Sequence, residues 1–186
     1  MREDYGMRMI FLLSFTSLAL PLLADCPPAP NIKAAEGRIL AEIGIAPDEL
    51  TARQLSQGLW ALWIQAPDAH AQSLLDKGMR AREGYDFATA YDAFSALTEY
   101  CPDYAEGYNQ RAFVHFLRQE YEPALVDLEK AIARSPRHVA AIAGKALTLI
   151  GLDRNDEAQV VLRQALKLNP WLSERVYLTD PKATDL

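Results

Sequence analysis

The side chains with the best claim to chemistry in this sequence are three histidines, two cysteines and a column of cations. His70, His115 and His138 fall far apart, and no two share the i,i+4 spacing by which one helix face presents a pair of imidazoles to a metal. Serines and aspartates occur, but no nucleophile elbow and no glycine-rich phosphate loop places them for attack or anion binding. The carboxylates are scattered along polar faces rather than paired for acid–base work. These patterns predict a protein that is not an enzyme and holds no cofactor and no metal. A histidine such as His115 is then expected to be hydrogen-bonded within a core. Lys77, Arg111 and Lys145 recur at one interval, each directly before a small residue. Two roles fit them: a basic ladder receiving a partner's carboxylates, or long stems packed between helices with heads meeting acids such as Asp92 or Asp127.

Such residues need a periodic framework, and the chain between 71 and 172 provides one. A shift of about 34 residues superposes Pro102, Pro136 and Pro170, then Ala90, Ala124 and Ala158, then Gly78, Ala112 and Ala146. Phe94, Leu128 and Leu162 lie between the alanines and prolines, followed by Leu97, Ala131 and Ala165. Each unit reads as two amphipathic helices, 71–83 and 87–100 in the first, with apolar residues three and four apart. The small columns have a steric purpose: where two helices cross closely, Gly or Ala on one admits a large residue from the other. The prolines push the preceding residue out of helical geometry, so the second helices should stop near Tyr100, Arg134 and Leu168. Pro123 sits in a first turn, where its missing N–H is harmless.

With the turns at 84–87 and 119–121 and with Tyr108 in a large aromatic slot, these columns resemble the tetratricopeptide repeat family over three gapless units, 71–104, 105–138 and 139–172. Ala81, His115 and Leu149 depart from that family's bulky aromatic, and Asn155 replaces the turn aromatic. The resemblance implies an all-α, right-handed α-solenoid. Its first helices would line a concave groove that takes a protein or peptide partner. Transferring the family's groove slots gives Leu75, Met79 and Arg82 in unit one. Unit two contributes Asn109, Phe113, Phe116 and Leu117, and unit three Ala143, Leu147 and Ile150. Much of that strip is apolar, as a partner-binding surface is, unless the chain's own tail or its proline-rich N-terminal segment covers it. The carboxylate clamp of some family members needs Lys and Asn in several of these slots; only Asn109 fits, so recognition of that kind is not expected. In the family the basic column faces the neighbouring helix, which favours its structural role.

A net charge of −6 without a Lys/Arg block argues against a nucleic-acid surface. Residues 9–24 are uncharged and largely apolar, short for a membrane span but suited to a secretory signal peptide over 1–24, with translation from Met7 giving the cleaner leader. Periplasm or secretion is the expected location, with no stable membrane insertion once the leader is removed. Asp25 stands where a lipobox wants a small residue, which argues against a lipid anchor on Cys26. Two cysteines in an exported chain suggest a Cys26–Cys101 disulfide worth about 4 kcal/mol in the chain-entropy treatment. Within 25–70, a stiff spacer at 27–30 precedes a degenerate helical hairpin, 31–43 and 49–65, expected to cap unit one with Trp60 and Trp63 packed onto it. Residues 173–186 should hold a short capping helix, starting near Trp171, and a disordered tail. The alternative to a scaffold for another protein is self-association into a homo-oligomer through the groove or a solenoid end.

Overall fold

The computed structural model describes Met1 and residues 25–179. The expected signal peptide and nearly all of the expected tail lie outside the described residues. The described secondary structure is helical: α1 Lys33–Gly44, α2 Glu49–Trp63, α3 Ala69–Glu83, α4 Phe87–Tyr100, α5 Ala105–Leu117, α6 Tyr121–Arg134, α7 Val139–Gly151 and α8 Asn155–Leu168, then a 3-10 turn at Ser173–Tyr177. Each of the pairs α3/α4, α5/α6 and α7/α8 is a tight antiparallel hairpin, and α4 packs on α5 as α6 packs on α7. The result is an α-solenoid.

The periodicity is written into the backbone as well as the side chains. Tyr85, Gln119 and Asp153 are the described non-glycine residues with positive φ, at 61°, 60° and 58°. Each follows the first helix of its unit, and the next N–H closes back on a carbonyl five residues earlier: Asp86 to Ala81, Glu120 to His115 and Arg154 to Leu149, all at 2.9 Å. This is the Schellman ending, with a left-handed residue that is ordinarily glycine. Three side chains accept that conformation because the geometry of the hairpin demands the same reversal each time.

Inside unit one, the columns act as their sizes require. Ala71, Leu75, Ala90, Phe94 and Leu97 are fully buried in one cluster. The helices approach so closely at Gly78 that a Cβ there would stand 2.4 Å from Phe94 Cε1. Aspartates begin the early helices: Asp48 accepts from Thr51 N–H at 2.8 Å, Asp68 from Ala71 N–H at 2.8 Å and Asp86 from Thr89 N–H at 3.1 Å. Those main-chain donors hold the Asp48 and Asp68 carboxyls below their ordinary value; for Asp86 the Thr89 side chain does so first, then its N–H.

The first hairpin does not behave as a stacked cap on unit one. Leu40, Ile43, Leu59 and Trp63 of α1 and α2 are buried together with Val139 of α7, and Ala140, Leu168 and Leu172 pack against the same cluster. Arg137 pairs with Glu36 at 3.0 Å and donates to the Lys33 carbonyl at 2.8 Å. Arg175 pairs with Glu49 at 3.0 Å, and Asn169 donates to Ser56 Oγ at 3.3 Å. The hairpin therefore reaches across the concave side to the last unit. The cause lies in the first helices at the two ends of the three-unit stack: α3 carries Asp76, Lys77, Arg80, Arg82 and Glu83, whereas α7 carries one charge, Lys145. An apolar stripe buries more area against α7.

Candidate functional site

What the hairpin leaves of the concave side is a cleft of roughly 410 Å³. Its walls are α2 with Leu59 and Trp60, α5 with Phe113 and Phe116, and α7 with Ala143 and Leu147. Arg82 of α3 and Glu174, after α8, also line it. Phe113 keeps 44% of its surface exposed although it sits on a helix, because its neighbours on that helix, Ala112 and Val114, face the core. Phe116 is half-buried, held edge-on against Tyr121 with ring centres 5.6 Å apart.

Asn109, Gln110 and Trp63 of the cleft wall are tied into a buried polar network that lies behind the cleft. Glu106, 1% exposed, accepts at Oε1 from Gln110; its Oε2 faces His138 Nε2 at 2.7 Å and accepts from Asn109 Nδ2 at 3.2 Å. Gln110 in turn accepts from Arg82. The His138 ring stacks on Trp63 at 4.0 Å and 16°, and Trp63 Nε1 donates to Glu36 at 3.2 Å. Tyr104 adds a bond from its hydroxyl to the Trp63 carbonyl at 2.7 Å, and burial pushes its phenol pKa well up. A buried network with partners at every step fixes geometry more than it adds net stability. It pins the end of α2 against α5 and α7 and so sets the width of the cleft.

The groove positions transferred by resemblance divide into three groups. Arg82, Asn109, Phe113, Phe116, Ala143 and Leu147 all line the cleft. Met79 and Ile150 are half-buried and Leu117 is 40% exposed, outside it. Leu75 requires correction: it is fully buried in the unit-one core and offers nothing to a partner. Asn109 is 8% exposed with its amide committed to Glu106, so it is a wall residue rather than half of a clamp. Trp60, expected to pack the cap onto unit one, lines the cleft; the Trp63 ring packs on His138 and Val139, where units two and three meet, instead of on unit one.

In the basic column the structural role predominates. Arg111 grips Asp127 through Nε at 2.6 Å and Nη2 at 2.8 Å, and that hydrogen bonding raises its pKa. Lys145 takes Glu129 at 2.9 Å rather than an aspartate, while Lys77 is exposed with no carboxylate within 4.0 Å among the described residues. His115 is 9% exposed with Nδ1 2.7 Å from Glu120. His70 meets the Tyr100 ring edge-on at 4.7 Å. Cys26 and Cys101 have their sulfurs at bonding distance, 1.94 Å, and no free cysteine occurs among the described residues. No group of His, Cys, Asp or Glu among the described residues is arranged to hold a metal, and no described helix is long and apolar enough to cross a membrane.

Rigid helical hairpins around an open apolar cleft define an α-solenoid of the helix-turn-helix repeat class. The chain is 32% identical over 125 residues to tetratricopeptide repeat protein 36 of Mus musculus, across 64% of this chain and 67% of the mouse protein. It is 33% identical over 120 residues to the protein of that name from Xenopus tropicalis, across 61% of this chain and 58% of the frog protein. The chain thus spans about two thirds of the first relative and less of the second. Among solved structures, the second such domain of human RPAP3, in complex with an HSP70 peptide, matches with a TM-score of 0.57 and 22% identity, covering 63% of this chain and 97% of that one. At that identity the likeness is one of fold. No family model matches the chain. The chain belongs to the tetratricopeptide repeat family.

Proposed function

We propose that the protein is a non-enzymatic scaffold that binds another protein by seating an apolar peptide segment in the cleft between α2 and the concave helices. The observation that carries this reading is Phe113: a large aromatic, 44% exposed, on a rigid helix beside Phe116 and Leu147 in an apolar hollow. Preorganised aromatic anchors of this sort lose little conformational freedom on docking. The peptide held by the structural neighbour from human RPAP3 is consistent with such a role for the fold. We further propose an exported, cell-envelope setting, supported by the uncharged run at 9–24 and by the Cys26–Cys101 pair. Intact mass of protein recovered from the envelope fraction tests that setting by showing whether 1–24 are removed and the cysteines joined. The test of the cleft is the double substitution Phe113→Ala and Phe116→Ala. Cross-linking and co-purification of a partner should be lost while the helical circular-dichroism signal is unchanged; retained partner binding by a folded variant refutes the cleft.

A further inference from the structure

We propose that the segment seated in the cleft inserts a tyrosine, and that the hydroxyl of Thr148 in α7 is the group that recognises its phenol; this rests on the scaffold reading above.

The case begins with a hydrogen-bonding group that the chain leaves unused. Thr148 lines the cleft and is fully buried, and its Oγ1 has no hydrogen-bond partner among the described residues. Other polar side chains of the same lining are engaged: Ser56 donates to the Ala52 carbonyl, Trp63 to Glu36, Asn109 and Gln110 to Glu106, and Asn169 to Ser56. A hydroxyl inside a helix ordinarily returns its proton to a carbonyl three or four residues back. Ser56 does so to Ala52 and Thr98 to Ser95, but Thr148 does not.

Packing does not call for this hydroxyl. A shift of 34 residues places Thr148 on Val114 of α5, which is also fully buried. Valine and threonine have nearly the same shape, so the stack accepts the apolar member of the pair at this slot, and unit three carries an oxygen in place of a methyl. An unpaired buried hydroxyl is a cost to the folded chain, which a docking group with an oxygen at the matching place removes. An ordered water would need several polar partners there, and the α7 residues beside Thr148 in the lining, Ala143, Gly144 and Leu147, bring no polar side chain.

The surroundings define the incoming group. Trp60, Phe113, Phe116 and Leu147 line the hollow, so its stem is apolar. Thr148 is enclosed, so the polar atom sits at the far tip of that stem, beyond the reach of a serine or threonine side chain. An ionised tip would give up its hydration for a single neutral hydrogen bond. Tyrosine meets these conditions: its flat ring packs on aromatic walls, and its terminal hydroxyl both donates and accepts. Phe116 and Leu147 are half-buried and free to turn as the ring enters.

The experiment uses the oxidised protein and a displayed library of random dodecapeptides, selected on the wild type and counter-selected on Phe113→Ala. Enriched peptides should share a tyrosine among apolar residues. One is synthesised with that tyrosine and with phenylalanine in its place, and both are titrated by fluorescence anisotropy against wild type and Thr148→Val. Loss of the phenol should weaken binding to wild type about five- to tenfold, and the two peptides should bind Thr148→Val alike. Without peptide, Thr148→Val should raise the urea midpoint, so the variant gains stability as it loses selectivity. Phe113-dependent peptides without tyrosine, equal affinities on wild type, or a tyrosine preference that survives in Thr148→Val overturn the role of Thr148 and leave the scaffold standing. A lowered urea midpoint shows that the hydroxyl is satisfied within the protein, by a carbonyl or an ordered water, and overturns it too. Failure to enrich any Phe113-dependent peptide overturns the scaffold reading itself.

Discussion

Replacing a glycine by alanine in a helix interior ordinarily stabilises it, by about 0.5–1 kcal/mol, because the unfolded chain loses conformational freedom. Gly58 in α2 and Gly78 in α3 are both helix-interior positions, and the structure gives them opposite fates. A Cβ on Gly58 would meet only Ile39 Cδ1, at 3.4 Å, an ordinary contact. On Gly78 it would stand 2.4, 2.6 and 2.7 Å from three atoms of the Phe94 ring. Reaching 3.4 Å from 2.4 Å requires a displacement of about 1 Å (3.4 − 2.4), and Phe94 is fully enclosed with no room to swing away. Overpacking of that kind costs about 1–3 kcal/mol. The propensity gain is common to both variants and cancels in their comparison. Gly78→Ala should therefore lie about 1–3 kcal/mol below Gly58→Ala in urea denaturation followed by circular dichroism. Comparable stabilisation in the two variants would refute the close helix crossing from which the whole stack is inferred.

Two further outcomes follow from the covalent tie and from the helix caps. Cys26 and Cys101 are 75 residues apart, so a Cys26→Ser/Cys101→Ser variant should lose up to about 4 kcal/mol by the urea midpoint, with earlier proteolysis in the 27–30 spacer; an unchanged midpoint would show that the tie does not restrict the unfolded chain. Asp48, Asp68 and Asp86 have folded pKa values below the ordinary 3.8, so their stabilisation is complete above that value and disappears as pH falls through the lowered ones. The wild-type urea midpoint should thus decline on acidification below pH 3.8 more steeply than in Asp48→Asn/Asp68→Asn/Asp86→Asn, whose amides still cap but do not titrate; parallel curves would discount the three caps.

Repetition made the solenoid legible: a position that recurs as Gly78, Ala112 and Ala146 reports a helix crossing whichever unit is read. Phe94 against Gly78 is that crossing seen directly. The left-handed turns were half visible, since the turn near 84–87 is apparent in the sequence but nothing marks Tyr85, Gln119 and Asp153 as the residues that reverse. Leu75 was misread because groove slots inherited from a family assume one helix rotation. Here α3 turns that residue into the core and leaves Arg82 on the open side. The Glu106–His138 pair left no signal, because its partners come together only through the stacking of α5 on α7. The destination of α2 was equally hidden: one apolar stripe cannot say which of several concave helices will receive it.

That destination changes what the groove is. In an unobstructed solenoid, the concave side offers a long shallow surface, and affinity must come from many modest contacts. Here Trp63 closes the end of α2 onto His138 and Glu36 meets Arg137, so one wall of the site is supplied by the chain itself. A wall facing Phe113 and Leu147 converts a shallow surface into a hollow that desolvates whatever enters it. Desolvation of that kind favours the burial of apolar side chains that enter it. The Cys26–Cys101 tie anchors the segment leading into α1 beside the unit-one core, which keeps the wall near its seat even when its contacts open. Width and dryness of the cleft are therefore set together by the position of α2, and a change that frees the hairpin should weaken binding of an apolar peptide more than it weakens the stack.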